Sequence, residues 1–250
     1  MSAKRVIARL DVKGNRLIKG IHLEGWRFLG DPNKYCKKYY NAGIDEIIYI
    51  DAVASLYGRD MLKKVVEKTT DQVFIPITAG GGIRCIDDAY ELLRAGADKV
   101  AINSGALKNP NLITEISKKF GTQCVVLSIQ AKKIETKWVA CYDSAREVTN
   151  LDVLTWAKRA EDLGAGEILL TSVDNDGTFS GLDIELTSQV SKDINIPLIA
   201  CGGVRSENDF VEGINNGKAD AVAIAKALHF DKLKISNLKK YAKENGIEIR

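Results

Sequence analysis

Short apolar, β-rich runs alternate with longer stretches of helical period along the whole chain. The runs fall at residues 6–10, 46–50, 74–78 and 99–102, then again at 124–129, 167–171, 197–200 and 221–224. Near-continuous apolar character is what parallel strands need when helices cover both faces of their sheet. Between the runs, Asp31-Pro32 predicts a helix N-cap followed by the first helical residue. Gly43, Gly96, Gly164 and Gly217 stand where helices would end on a left-handed residue. Eight strand–helix units in 250 residues predict an α/β fold of the closed (βα)8 TIM-barrel type. A doubly wound open sheet is the alternative.

An internal repeat favours the barrel. FIPITAGGGIRCIDDAYELLRAGADKVAIN aligns with NIPLIACGGVRSENDFVEGINNGKADAVAIA. Pro76 falls on Pro197, Gly81-Gly82 on Gly202-Gly203, Arg84 on Arg205, Asp88 on Asp209 and Glu91 on Glu212. Gly96 falls on Gly217, and one extra residue, Lys218, brings Asp98 onto Asp220. AGIDEIIYID and LGAGEILLTS continue the match upstream, as do RVIARLD and CVVLSIQ. The expectation is one barrel domain made of two homologous half-barrels, about residues 1–120 and 121–250.

Composition adds exclusions. The net charge is +3, from 36 basic and 33 acidic residues, which leaves no nucleic-acid footprint. Pairs such as Lys37-Lys38, Lys63-Lys64 and Lys239-Lys240 read as solvated helix faces. The five cysteines include no CxxC pair and predict free thiols in a reducing cytoplasm. Charges at Lys4, Arg5, Arg9 and Asp11 interrupt any signal-peptide core, and no apolar run reaches the ~18 residues of a membrane span. His22 and His229 are far apart in the chain, so neither a metal site nor a cofactor is expected.

Catalytic residues in such barrels lie at the C-terminal strand ends. Those ends carry Asp11, Asp51, Gly80-Gly81-Gly82, Asn103-Ser104, Gln130, Thr171 with Asp174-Asn175-Asp176-Gly177-Thr178, Gly202-Gly203, and Ala225-Lys226. Glycines after strands 3 and 7, with the helix starts after strands 4 and 8, predict one phosphate cradle per half and a ligand with a phosphate at each end. A tight βα turn is the plainer reading of either Gly-Gly alone. Asp11 is a candidate general acid or base, with a salt bridge to Lys19 or Lys13 as the plainer alternative. Its repeat partner is Gln130, which exchanges no proton near neutral pH. At the opposite strand ends stand Arg5, Glu46, Lys99 and Glu167. Facing inward they would form a charged ring; facing outward they would be ordinary surface charges, and spacing does not decide between the two. GIHLEGWRFLGDP reads as a long functional first loop in which Trp26 caps a substrate, and His229 reads as a packing residue after strand 8.

RVIARLDVKG, TAGGGIR, LLRAGADKVAINS, GAGEILLTSVDNDGT and the closing HF resemble the cyclase subunit of imidazole glycerol phosphate synthase over nearly the whole chain. That resemblance implies a heterodimer with a glutaminase docked on the barrel floor, ammonia crossing the barrel, and a bisphosphate substrate at the top. It places Asp11 as the first catalytic aspartate and Lys19, Asp51, Thr171 and Asp176 in the active site. Gly81, Gly82, Asn103, Ser104, Gly177, Gly202, Gly203, Ala225 and Lys226 become phosphate positions. Arg5, Glu46, Lys99 and Glu167 become an ammonia gate, and Asp98 part of the glutaminase interface. Two positions depart from the pattern: Gln130 replaces the second catalytic aspartate, and Lys226 replaces a small phosphate-site residue. KGIHLEGWRFLGDP and ASLYGR resemble a paralogous branch linked to acetamidino modification of surface-polysaccharide sugars, working with a glutaminase paralogue and a separate sugar amidotransferase.

The leading expectation is therefore an ammonia-delivering synthase subunit serving sugar amidination. The alternative is the cyclase of histidine biosynthesis, converting the aminoimidazole-forming bisphosphate to imidazole glycerol phosphate and AICAR. A non-catalytic ammonia conduit is the third.

Overall fold

The computed structural model describes residues 3–54 and 60–250. Most of the ASLYGR motif, residues 55–59, lies outside the described residues. The first half runs β1 (Arg5–Lys13), β2 (Arg16–Ile21), β3 (Glu24–Gly30), α1 (Pro32–Asn41), β4 (Glu46–Asp51), α2 (Asp60–Thr70), β5 (Ile77–Gly80), α3 (Ile86–Arg94), β6 (Lys99–Ile102), α4 (Ser104–Lys108) and α5 (Asn111–Phe120). The second runs β7 (Val125–Ile134), β8 (Lys137–Tyr142), β9 (Glu147–Asp152), α6 (Val153–Asp162), β10 (Glu167–Ser172), α7 (Ile184–Asp193), β11 (Leu198–Cys201), α8 (Glu207–Asn215), β12 (Ala221–Ile224), α9 (Lys226–His229) and α10 (Ile235–Glu244).

Eight of these strands form a closed parallel ring in the order β1-β4-β5-β6-β7-β10-β11-β12, and β12 pairs back onto β1 with Ala221 opposite Arg5. Closure excludes the open sheet. Strand alternation divides each strand between two cores. On β1, Val6, Ala8 and Leu10 pack outward under the helices, while Ile7 packs in the bore with Ile48, Val126, Leu169 and Ile199. Arg5, Arg9 and Asp11 share the parity of Ile7 and therefore face the bore.

The repeated residues do repeated physical work. The Asp88 carboxylate accepts from the backbone N–H groups of Arg84 and Cys85, and Asp209 accepts from those of Arg205 and Ser206. Each thereby satisfies donors at a helix start that have no helical partner. Asp98 accepts from the Ile77 N–H and Asp220 from the Leu198 N–H, so each ties down the start of a neighbouring strand. The Pro76 and Pro197 carbonyls accept from Ile47 and Ile168.

Several expectations need correction. The long first loop is a hairpin, β2–β3, that continues β1, and β8–β9 continues β7 in the same way. The third strand begins at Ile77, leaving Phe74 outside it and 78% exposed. Gly43, Gly96 and Gly164 are left-handed, but Gly217 is not. The extra residue Lys218 takes the positive φ of 59° instead, so the insertion moves the turn by one residue. Lys239 is not simply solvated, because its ammonium pairs at 2.5 Å with the buried Asp45 carboxylate. The Asp31 cap on α1 is present, with its side chain accepting from the Asn33 N–H. All five cysteines are free thiols. No helix of the described residues is long and apolar enough to cross a membrane.

Candidate active site

The four charged residues at the N-terminal strand ends face inward and pair. Arg5 donates to Glu46 at 2.9 Å and to Glu167 at 2.8 Å, and Lys99 lies 2.6 Å from Glu167 and 3.5 Å from Glu46. Both carboxylates are only 5% exposed, and their charge is tolerable because each meets both Arg5 and Lys99, with Arg250 a further 3.8 Å neighbour of Glu46. Asp98, beside this floor, is exposed and held by its bond to Ile77.

At the opposite end, Asp11 meets two cations. Arg9 Nε donates to Oδ1 at 2.8 Å, and Lys19 Nζ lies 3.3 Å from Oδ2. Lys19 reaches in from β2 and also binds both oxygens of Asp176 at 2.9 Å. Burial pushes the Asp11 carboxyl up, but Arg9 and Lys19 outweigh it and hold the group below the ordinary aspartate range. Thr171, fully buried on β10, accepts from Arg9 Nη1 at 2.8 Å. Asp51, at the end of β4, instead has its carboxyl raised by burial, against hydrogen bonds from the Val53 and Ala54 N–H groups. Of the two lysines in the plainer alternative, Lys19 does pair with Asp11, whereas Lys13 lies 5.8 Å from the Trp26 ring.

The two glycine pairs hold equivalent places. Gly82 and Gly203 both have positive φ, 66° and 96°. A Cβ on Gly203 would lie 2.0 Å from the Gly181 carbonyl oxygen, so only glycine lets the two backbones meet there. Asn103 and Ala225 precede α4 and α9 in matching conformations, φ −130°, ψ −85° and φ −118°, ψ −80°.

The space beside these equivalent backbones is unequal. Gly81, Gly82, Asn103 and Ser104 line a cavity of about 300 Å³ shared with Asp51, Gln130 and Asp143. Gly177, Gly202, Gly203 and Ala225 enclose only about 10 Å³. Lys226 lines the smaller hollow, with Nζ bonded to the Gly177 carbonyl at 2.6 Å and lying 4.8 Å from the Phe179 ring centroid. A third hollow between them is lined by Arg9, Asp11, Lys19, Trp26 and Gln130, so Trp26 does reach the central site.

The β8–β9 turn closes over the larger cavity. Asp143, Ser144 and Ala145 are three successive non-glycine residues with positive φ, 51°, 60° and 63°. Such backbone is costly unless its surroundings hold it. Here the Asp143 N–H donates to Ser104 Oγ, Ser144 Oγ to the Ala52 carbonyl, and the Ala145 N–H to Gln130 Oε1 at 2.7 Å. Asn103 Oδ1 and Asp143 Oδ1 are buried acceptors with no donor among the described residues. Among the described residues, no His, Cys, Asp and Glu side chains gather as a metal-ligand group.

Sequence reasoning missed Arg9, read only as a charge breaking an apolar run, and the Asp143–Ala145 turn. Parity was the available signal for Arg9: it lies two residues from Asp11 and four from Arg5 on one buried strand. The turn left no comparable signal, because its path depends on contacts with distant residues.

Residues 5–234 match the family model described as histidine biosynthesis protein. The chain is 57% identical over 211 residues, 84% of its length and all of the relative's, to the imidazole glycerol phosphate synthase subunit HisF of Legionella pneumophila. It is 48% identical over 248 residues, 99% of its length and 98% of the relative's, to the subunit of that name in Campylobacter concisus strain 13826. Neither name carries the polysaccharide-modification assignment that KGIHLEGWRFLGDP and ASLYGR suggested. With a repeated half-unit, a charged floor and an aspartate between two glycine-lined hollows, the chain belongs to the histidine biosynthesis protein family, as a barrel of the HisF type.

Proposed function

We propose that this chain is the synthase subunit of a glutamine amidotransferase of the imidazole glycerol phosphate synthase type. A partner glutaminase on the barrel floor releases ammonia, which passes the ring of Arg5, Glu46, Lys99 and Glu167. At the mouth it attacks a substrate carrying two phosphates, yielding imidazole glycerol phosphate and AICAR. The observation that carries this reading is the arrangement of β1, which bears Arg5 within the floor ring and Asp11 within the central hollow. The 48% identity over 99% of the chain supports the same reaction. The unfilled acceptors Asn103 Oδ1 and Asp143 Oδ1 suit a phosphorylated ligand that also offers hydroxyl hydrogens.

The test is direct. The purified barrel is supplied with ammonium and the bisphosphate, and AICAR release is followed. Turnover that saturates in both, and that glutamine plus a cognate glutaminase can also drive, supports the reading; no AICAR under either nitrogen source sinks it.

Gln130 favours a second reading. Where the resemblance expects a second catalytic carboxylate, this amide bonds to the β8–β9 turn instead. On that reading the barrel still receives ammonia but passes it on for amidination of a sugar by a separate amidotransferase. Glutaminase stimulation by the barrel without any AICAR production would favour it.

A further inference from the structure

The alternate residues of β1 form a column up the bore. Arg5 pairs in the floor ring, Ile7 sits in the apolar layer with Ile48, Val126, Leu169 and Ile199, and Arg9 and Asp11 follow above. Arg9 is 3% exposed. Its Nε holds Asp11 Oδ1 at 2.8 Å, while Nη1 donates to Thr171 Oγ1 at 2.8 Å and to Cys201 Sγ at 3.5 Å. Thr171 is on β10, three strands from β1 around the ring, so the side chain crosses the bore. A buried guanidinium is costly unless it is paired and hydrogen-bonded. Of the partners named here, Asp11 itself lines the central hollow and Cys201 lines the smaller glycine hollow.

We propose that Arg9 is a positioning residue: it spans the bore, grips the Asp11 carboxylate from below and fixes it as an anion at the base of the central hollow. The other groups facing Asp11 leave this arrangement intact. Lys19 from β2 approaches the second oxygen and is itself pinned by Asp176, which follows β10. The Cys201 thiol on β11 is kept protonated by burial, and His229 on α9 is kept neutral by burial. Gln130 on β7 carries no charge. Asp11 therefore meets two cations and exchanges no proton near neutral pH. Since Gln130 exchanges none either, Asp11 works by orienting a donor, an N–H of incoming ammonia or a cationic centre of the substrate. Ammonia that has passed the floor ring meets the Arg9 guanidinium before it meets Asp11, and that cation repels ammonium and lets neutral ammonia pass. Those last two consequences rest on the proposed function; the grip of Arg9 on Asp11 does not.

The experiment follows the Asp11 carboxyl carbon of the full-length chain by NMR as pH is lowered, with the signal assigned through Asp11→Asn. Asp11 is expected to remain ionised at pH values where a free aspartate, with its midpoint of about 3.9, is substantially protonated. Arg9→Met is expected to raise the midpoint by about 1–3 pH units. Thr171→Val, which keeps the guanidinium and removes one anchor, is expected to raise it less. The acid limb of ammonium-dependent turnover should move up with the midpoint in Arg9→Met, a shift that a merely structural residue would not produce. An unmoved midpoint in folded Arg9→Met overturns the proposal. So does an ordinary midpoint in the wild type, which decides the matter even if Arg9→Met does not fold. If the wild type turns over no bisphosphate at all, the proposed function fails, while the titration still decides the role of Arg9.

Discussion

The Lys226 ammonium donates to the Gly177 carbonyl at 2.6 Å, so the protein's own cation sits in one of two equivalent glycine-lined hollows. The backbone around the two hollows is alike, but their chemistry is not. One is open and offers N–H groups and unfilled acceptors. The other already holds a positive charge, and burial together with Lys19 pulls the Lys226 ammonium below the ordinary lysine range. An incoming phosphate would offer the Lys226 ammonium a charged acceptor in place of the neutral Gly177 carbonyl. Lys226→Ala is therefore expected to weaken binding of a bisphosphate about tenfold, the equivalent of one charge-assisted hydrogen bond at about 1.4 kcal/mol. Calorimetric titration of wild type and variant checks this, and the wild type should also show the steeper salt dependence. Tighter binding by the variant would mean that Lys226 is a plug.

The floor ring makes a prediction about stability. Glu167 accepts from Arg5 at 2.8 Å and Lys99 at 2.6 Å while only 5% exposed. Glu167→Gln leaves both cations to Glu46 alone. Breaking a buried pair on one side costs about 3–5 kcal/mol, and the partial exposure of Lys99 at 20% puts the expected loss at the lower end, about 3 kcal/mol. Urea unfolding reads it as a lower midpoint with an unchanged slope. A loss below about 0.5 kcal/mol, the range of ordinary surface substitutions, would mean that the ring is functional without being structural.

The barrel was legible because its signals are local or repeated. Asp88 and Asp209 each cap a helix through bonds spanning only a few residues, and Asp98 and Asp220 each anchor a strand start, so the same fold demand left the same letter twice. What was illegible depends on groups far apart in sequence. Arg9 looked out of place in an apolar run because its partners, Thr171 and Cys201, lie 162 and 192 residues away. Whether Arg5, Glu46, Lys99 and Glu167 faced inward was a question of strand parity and pairing across the barrel, which spacing alone does not fix. Lys218 shows a smaller failure of the same kind: Gly217 had the residue type for a left-handed turn, but the inserted neighbour adopted it.

His229 gives the fold a pH dependence with a definite sign. It is 5% exposed, and its Nδ1 sits 2.7 Å from the Tyr39 hydroxyl. Burial, aided by Lys19, lowers its pKa to about 3. The unfolded chain takes up a proton near pH 6.5 and the folded chain only near 3, so the stabilising contribution is complete above the unfolded value. It declines as pH falls between those values, by up to about 1.4 kcal/mol per pH unit. Denaturant midpoints at successive pH values from 7 to about 5, above the ordinary carboxylate range, isolate this group. His229→Asn should flatten the slope in that window, and an unchanged slope would assign the dependence elsewhere.

Gln130 decides how far the chain keeps the reaction its relatives are named for. It stands on β7 where Asp11 stands on β1, and its Oε1 is occupied by the Ala145 N–H at 2.7 Å. Restoring a carboxylate should restore whatever transition-state interaction the amide lacks. At about 3–4 kcal/mol, that interaction corresponds to about two to three orders of magnitude in rate. Gln130→Asp is thus expected to raise ammonium-dependent turnover of the bisphosphate by about that factor, measured under single-turnover conditions so that product release does not mask it. Aspartate is one methylene shorter and will loosen the bond to Ala145, so Gln130→Glu is the necessary companion: it keeps the reach to the turn and adds the charge. A gain in both variants identifies charge as the missing element. A gain in the aspartate variant alone identifies a required distance as well. No gain in either folded variant would mean that the clamp of Arg9 on Asp11 has already committed the site to other chemistry, and the sugar-amidination reading would take precedence.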